Sequence, residues 1–161
     1  YPAIGTKMTG KGGAKIISKA KNVSLIDAVK YENLISGRSY TVKGVLMDKK
    51  AGKPYEEDGK VVTGSTTFTS EGNGTASVSF KLNTSKIAGK ELVAYEKVYD
   101  DKGKLVATHE DINNRDQTIR VAHPSIPRTG DGSLLYMYLG LFLTSFVALA
   151  SLTAIKRCVR L

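Results

Sequence analysis

Cysteine is almost missing from this sequence. Its one thiol, Cys158, lies near the C-terminal end, so residues 1–157 hold no disulfide and no thiolate metal ligand. Two histidines in 161 residues are too few to suggest an imidazole zinc site. Tryptophan is absent. There is no Gly-rich phosphate loop and no GxSxG elbow, and no motif asks for a cofactor. Acidic residues are outnumbered, giving a net charge of +9. The lysines are spread along the chain with few aromatics between them, which describes a solvated basic surface and argues against a nucleic-acid partner. The chain also lacks an initiator methionine and an apolar leader: it opens "YPAIGTKMTG", which reads as the C-terminal piece of something longer.

What is present is a series of short strand-like runs. The expected strands are 3–9, 22–32, 39–48, 60–69, 74–82, 90–99, 104–110 and 116–122. Turn chemistry separates them: "TGKGG", "SGR", "DKKAGKP", "EGNG", "AGK" and "DDKGK". "MDKKAGKPYEEDGK" reads as a solvated hairpin. No window sustains a helical period before residue 134. With an apolar content of 41%, residues 1–122 are expected to fold as an all-β, immunoglobulin-like sandwich.

The last part has a different character. Residues 134–155, "LLYMYLGLFLTSFVALASLTAI", carry no charge. About 20 apolar residues cross a bilayer as a helix, so a transmembrane helix is expected there. The basic tail "KRCVRL" (156–161) suits the cytoplasmic side. Between domain and span, residues 123–133 form a linker containing "IPRTG". This order of motif, spacer, span and basic tail resembles the cell-wall sorting signal of Gram-positive surface proteins, usually LPxTG, with Ile126 in the Leu position. The resemblance implies a surface protein, synthesised as a membrane-spanning precursor. It implies that a sortase recognises Ile126, Pro127 and Arg128, cuts between Thr129 and Gly130, and joins Thr129 to a peptidoglycan precursor or a pilin subunit. Pro127 stiffens the segment for a cleft.

Strand phase singles out a set of polar residues. Alternate residues of a strand face opposite sides. Thr6 shares a face with Ile4 and Met8; Asp27 with Leu25 and Val29; Glu96 with Leu92, Ala94 and Val98. His109 and Asp111 align with Leu105 and Ala107, and Gln117 with Ile119 and Val121. Buried carboxylates are costly unless paired or protonated. Strand-end residues, each partly wet, are the bland explanation. As a group, Thr6, Asp27, Glu96, His109 and Gln117 satisfy one another in one buried site. In that site Thr6 is a weak nucleophile and Gln117 an acyl carbon with ammonia as leaving group. His109 takes the Thr6 proton. One carboxyl serves as a neutral acid and the other orients His109. The product is an ester joining the first strand to the last.

"IGTK", "YTVKGVLMDKKAGKP", "VAYE" and "HEDINNRDQT" resemble the Ig-like stalk repeats of Gram-positive adhesins, the VaFE repeats, some of which carry autocatalytic Thr–Gln ester cross-links. The resemblance implies Thr6 and Gln117 as the bonded pair, Glu96 as acidic helper and His109 as catalytic imidazole; Asp27 is assigned as the second acid. Asn114 stands where relatives often have Asp, a departure expected to matter little if Gln117 is the acyl donor. The domain is then a stalk holding a distal, host-binding region away from the wall. Four rivals stand beside this reading: an isopeptide between Lys7 and Asn113 or Asn114, an enzyme acting on an external substrate, a host-ligand-binding module without a cross-link, and a polytopic or tail-anchored membrane protein, against which "IPRTG" and the pattern after it weigh.

Overall fold

The computed structural model describes residues 1–123. Their regular structure is β apart from a 3-10 turn at Lys11–Gly13. The strands are β1 (Ala3–Thr9), β2 (Ile16–Ile17), β3 (Val23–Glu32), β4 (Ser39–Asp48), β5 (Lys53–Pro54), β6 (Glu56–Glu57), β7 (Lys60–Val61), β8 (Thr63–Thr69), β9 (Gly74–Leu82), β10 (Glu91–Asp100), β11 (Leu105–His109) and β12 (Thr118–Val121). The linker beyond residue 123, the "IPRTG" motif, the apolar span and the basic tail lie outside the described residues.

Two sheets face each other. One is an antiparallel trio, β1–β3–β9. The other is built on the long antiparallel pair β10–β4, in register from Leu92↔Asp48 to Asp100↔Tyr40. Strands β8 and β5 flank β4, and β2 adds in parallel outside β12. The far edge of β10 is shared: β12 pairs with Glu91–Val93 and β11 with Glu96–Tyr99. Between these two ladders the Ala94 N–H donates to the Gln117 carbonyl at 3.0 Å. The end of β11 and the residue before β12 therefore meet on one edge, which places His109 beside Gln117.

Alternation explains why the layers adhere. Met8, Leu25, Val29, Val78 and Phe80 of the first sheet and Val42, Leu46, Leu92, Ala94 and Ile119 of the second are buried in one apolar cluster. Their intervening neighbours, such as Lys7, Ser24, Lys30 and Lys81, are exposed. This is the period of two expected of half-buried antiparallel sheets. The architecture is the expected all-β, immunoglobulin-like sandwich.

Several boundaries move. The expected strand 60–69 is broken at Val62, which leaves the ladder to bury its side chain while its N–H donates to the Tyr55 carbonyl. The hairpin expected before it does form, as β6–β7, around Asp58 and Gly59, both at positive φ (50° and 75°). Its neighbour Tyr55 is buried rather than solvated. Strands β2 and β5 were not legible, being two residues each. In β11 the expected apolar face fails at both ends. A register shift at Val98/Tyr99 leaves Leu105 exposed, and Asp111 lies beyond the strand, where its Oδ1 accepts the Asn113 N–H at 2.9 Å.

Gly64 of β8 marks where the second sheet leans against β9. A Cβ there would collide with the Ser79 carbonyl oxygen and stand 2.7 Å from Val78 Cγ1. Gly64→Ala should destabilise the domain by about 1–3 kcal/mol, read as a lower urea midpoint with unchanged slope; an unchanged midpoint contradicts this packing.

Candidate functional site: a buried acid pair at the strand junction

The expected polar residues converge. Thr6 points inward from β1, opposite Val29 of β3. Asp27 points inward from the middle of β3, and Glu96 from the middle of β10. Glu96 is the register partner of His109 on β11. Gln117 lies one residue before β12 rather than within the strand, but its side chain keeps the inward phase of Ile119 and Val121. Asp27, Glu96 and Gln117 are fully buried and Thr6 is 7% exposed. His109 is half-buried.

The contacts join these residues into one cluster. The Thr6 hydroxyl lies 3.4 Å from His109 Nδ1. The Gln117 amide Nε2–H donates to the His109 carbonyl at 3.2 Å. Backbone closes the frame: the Met8 N–H donates to the Asp116 carbonyl at 2.8 Å, tying β1 to the segment before Gln117. The Lys15 ammonium donates to both the Met8 and Asp116 carbonyls, each at 2.8 Å. Burial lowers the pKa of Lys15, against the attraction of Asp116 and Asp27.

Five buried side-chain oxygens have no hydrogen-bond partner: both of Asp27, both of Glu96, and Oε1 of Gln117. Unsatisfied buried polar atoms are rare, and each calls for an explanation. Desolvation, helped by the charge of Asp27, pushes Glu96 up to about 9. Desolvation also pushes Asp27 up to about 6, against the pull of the neighbouring Glu96 and Thr6 side chains. Those neighbours are near enough to polarise Asp27, yet their placement falls short of ordinary hydrogen-bond geometry. Both carboxyls are thus held above their ordinary range, which favours a single proton shared within the pair over two buried charges.

Two supporting residues, Gly44 and Lys15, were not singled out from sequence, and a third, Asn114, was given a different part. Gly44 faces Glu96 across the β4–β10 ladder, and a Cβ there would stand 2.5 Å from Glu96 Oε1 and 2.6 Å from Phe80 Cζ. A glycine inside a strand was its available signal, since it often marks a close approach. Lys15 gave no signal. Asn114 was read as a tolerated departure, but its amide Nδ2 lies 3.3 Å from His109 Nε2. Its Oδ1 accepts the Asp116 and Gln117 N–H groups at 2.9 and 3.2 Å. The rival Lys7 is exposed, as is Asn113.

Residues 2–121 match the family described as T-Q ester bond containing domain. The chain belongs to that family. No curated protein sequence matches this T-Q domain chain. Two crystal forms of a bacterial adhesin from Mobiluncus mulieris, described as containing intramolecular disulfide, isopeptide and ester bond cross-links, have a similar fold. Their TM-scores are 0.63 and 0.62 at 16% and 17% identity, over 75% and 74% of this chain. The T-Q domain chain covers 57% and 56% of those structures, under two thirds of their length.

The raised carboxyls should make the folded domain sensitive to base. A carboxyl whose folded pKa is raised binds its proton more tightly in the folded state, so stability falls as pH climbs from the unfolded to the folded value. For Glu96 that window runs from 4.5 to about 9, and for Asp27 from 3.8 to about 6. A Gln117→Met variant should lose stability steadily between these limits in urea titrations at stepped pH. Adding Glu96→Gln should flatten the upper part of the curve. A flat profile in the first variant would contradict the buried pair.

Proposed function

We propose that this domain is a load-bearing module of a bacterial surface adhesin that locks itself with an ester between Thr6 Oγ1 and the Gln117 side-chain carbonyl carbon. The observation that carries the reading is the buried Gln117 carboxamide, whose unpartnered oxygen shares a site with a neutral carboxylic acid and a threonine hydroxyl. Attack of the hydroxyl on the carboxamide places negative charge on Oε1, and a preorganised donor such as the Glu96 O–H stabilises that charge where water cannot compete. Ammonia leaves, and burial keeps water from reversing the ester. Holding both reactants on adjoining strands supplies the effective concentration that such an unactivated amide needs. Membership of the T-Q ester bond family supports the same bond.

The rivals fit the site less well. An isopeptide needs a shielded amine, and Lys7 is exposed. An enzyme acting on an external substrate needs its acids open to a cleft. A shallow depression lined by Gly5, Thr6, Lys7, His109, Asn114 and Asp116 reaches the hydroxyl and the imidazole, but Asp27, Glu96 and Gln117 do not line it.

The bond suits a stalk. It joins the beginning of the domain to its end, so a pull entering near residue 1 and leaving beyond residue 122 passes through the ester rather than the β ladders. It closes a loop of roughly one hundred and ten residues, which by the chain-entropy account of cross-links stabilises by about 5 kcal/mol. We assign the VaFE-like repeat organisation, sortase processing at Thr129–Gly130, attachment to a wall precursor or pilin subunit, and host contact through other domains to the same role. The "IPRTG" context and the load path support them.

Intact mass tests the bond. Purified domain should be lighter than its sequence by one ammonia, Thr6→Val and Gln117→Met should have full mass, and hydroxylamine should cleave the native link. Full mass in the native domain, or full mass on changing Lys7 instead, overturns the assignment.

A further inference from the structure

The hydrogen bonds of Asn114 decide which group can accept the Thr6 proton. An asparagine amide can be placed either way round, and its partners must settle which. Here one end of the amide faces two backbone N–H groups, those of Asp116 and Gln117, at 2.9 and 3.2 Å. Both are obligatory donors, so that end is the carbonyl oxygen. The other end, 3.3 Å from His109 Nε2, is therefore the NH2. An NH2 is only a donor, so Nε2 must offer its lone pair. A neutral imidazole with an unprotonated Nε2 carries its hydrogen on Nδ1. Nδ1 is the atom that faces the Thr6 hydroxyl, at 3.4 Å.

We propose that Asn114 is a positioning residue that holds neutral His109 in the Nδ1–H form, so that the imidazole donates to Thr6 Oγ1 and the Asp27 carboxylate is the base that takes the Thr6 proton. This inference rests on the ester reading above. It accounts for hydrogen bonding that is otherwise unexplained. With Nδ1–H donating to Oγ1, the Thr6 hydroxyl hydrogen needs an acceptor elsewhere. Asp27 supplies two buried, unpartnered oxygens beside it. The Thr6 hydroxyl and the Lys15 ammonium both act on Asp27, each favouring its charged form, and neither acts on Glu96.

The step balances. The Thr6 Oγ–H bond breaks and its proton passes to Asp27 as Oγ1 bonds to the Gln117 carbonyl carbon. The carbonyl electron pair moves onto Oε1, held by the Glu96 O–H. Collapse re-forms the carbonyl and breaks the bond to Nε2, which leaves as ammonia with the proton returned from Asp27. Both acids end as they began. A carboxylate in place of the Asn114 amide would reverse the arrangement. It would keep accepting the backbone N–H groups with one oxygen and accept Nε2–H with the other, freeing Nδ1 to act as the base.

Nitrogen NMR of His109 tests this directly, because ring nitrogen shifts distinguish the two tautomers. The measurement uses Gln117→Met, which cannot react, so it reads the tautomer whether or not the native domain forms an ester. We expect Nδ1–H in Gln117→Met and Nε2–H once Asn114→Asp is added. Finding Nε2–H in the first, or the same tautomer in both, overturns the proposal. In the reactive domain, ammonia loss followed by mass after cell-free synthesis should slow on the order of a hundredfold in Asp27→Asn. Adding Asn114→Asp to that variant should recover much of the lost rate. Asp27→Asn reacting at the native rate also overturns it, whereas native domain of full mass refutes the ester itself.

Discussion

Everything in this domain is arranged around two buried carboxyls. Asp27 and Glu96 sit mid-strand on opposing sheets, where apolar residues would ordinarily meet. Neither can ionise freely, and both cannot be charged together at neutral pH. Burial raises the pKa of each, and the charge of Asp27 raises that of Glu96 further, which favours one shared proton over two charges. That is a costly condition for a protein of marginal stability. It is also what a reaction between a hydroxyl and an amide requires: one acid and one base, side by side, beyond the reach of water.

The rest of the fold serves that arrangement. Gly44 leaves the volume that the Glu96 carboxyl occupies. The edge of β10, divided between β11 and β12, brings the end of one strand to the beginning of the next and delivers His109 and Gln117 to the same place. Lys15 and the Met8–Asp116 bond fasten β1 to that edge. Burying the acids costs stability, and the proposed Thr6–Gln117 ester would offset it by a closure that spans most of the domain.

Much of this was legible because strands have a strict period. Thr6, Asp27 and Glu96 each fall in phase with apolar neighbours, and no loop irregularity intervenes to spoil the count. Gln117 held its phase although the strand begins after it. Asp111 did not, because the chain turns as soon as β11 ends. The strand at 60–69 was misjudged because Val62 is needed in the core and leaves the ladder to reach it. Asn114 was undervalued for a different reason. Its effect lies in which end of an amide faces which partner, and that depends on two backbone N–H groups whose directions no periodicity reveals. Nor does sequence show that two buried carboxyls from opposing sheets meet closely enough to shift each other's proton affinity, as this follows from how the sheets pack.

The central claim is a covalent bond between particular residues, and peptide mapping addresses it most directly. Digestion of the purified domain, followed by tandem mass spectrometry, should give a branched species in which the peptide containing Thr6 is joined to the peptide containing Gln117, with a mass short by one ammonia and fragments that locate the junction at those side chains. Recovery of the two peptides only as separate, unmodified species would contradict the account.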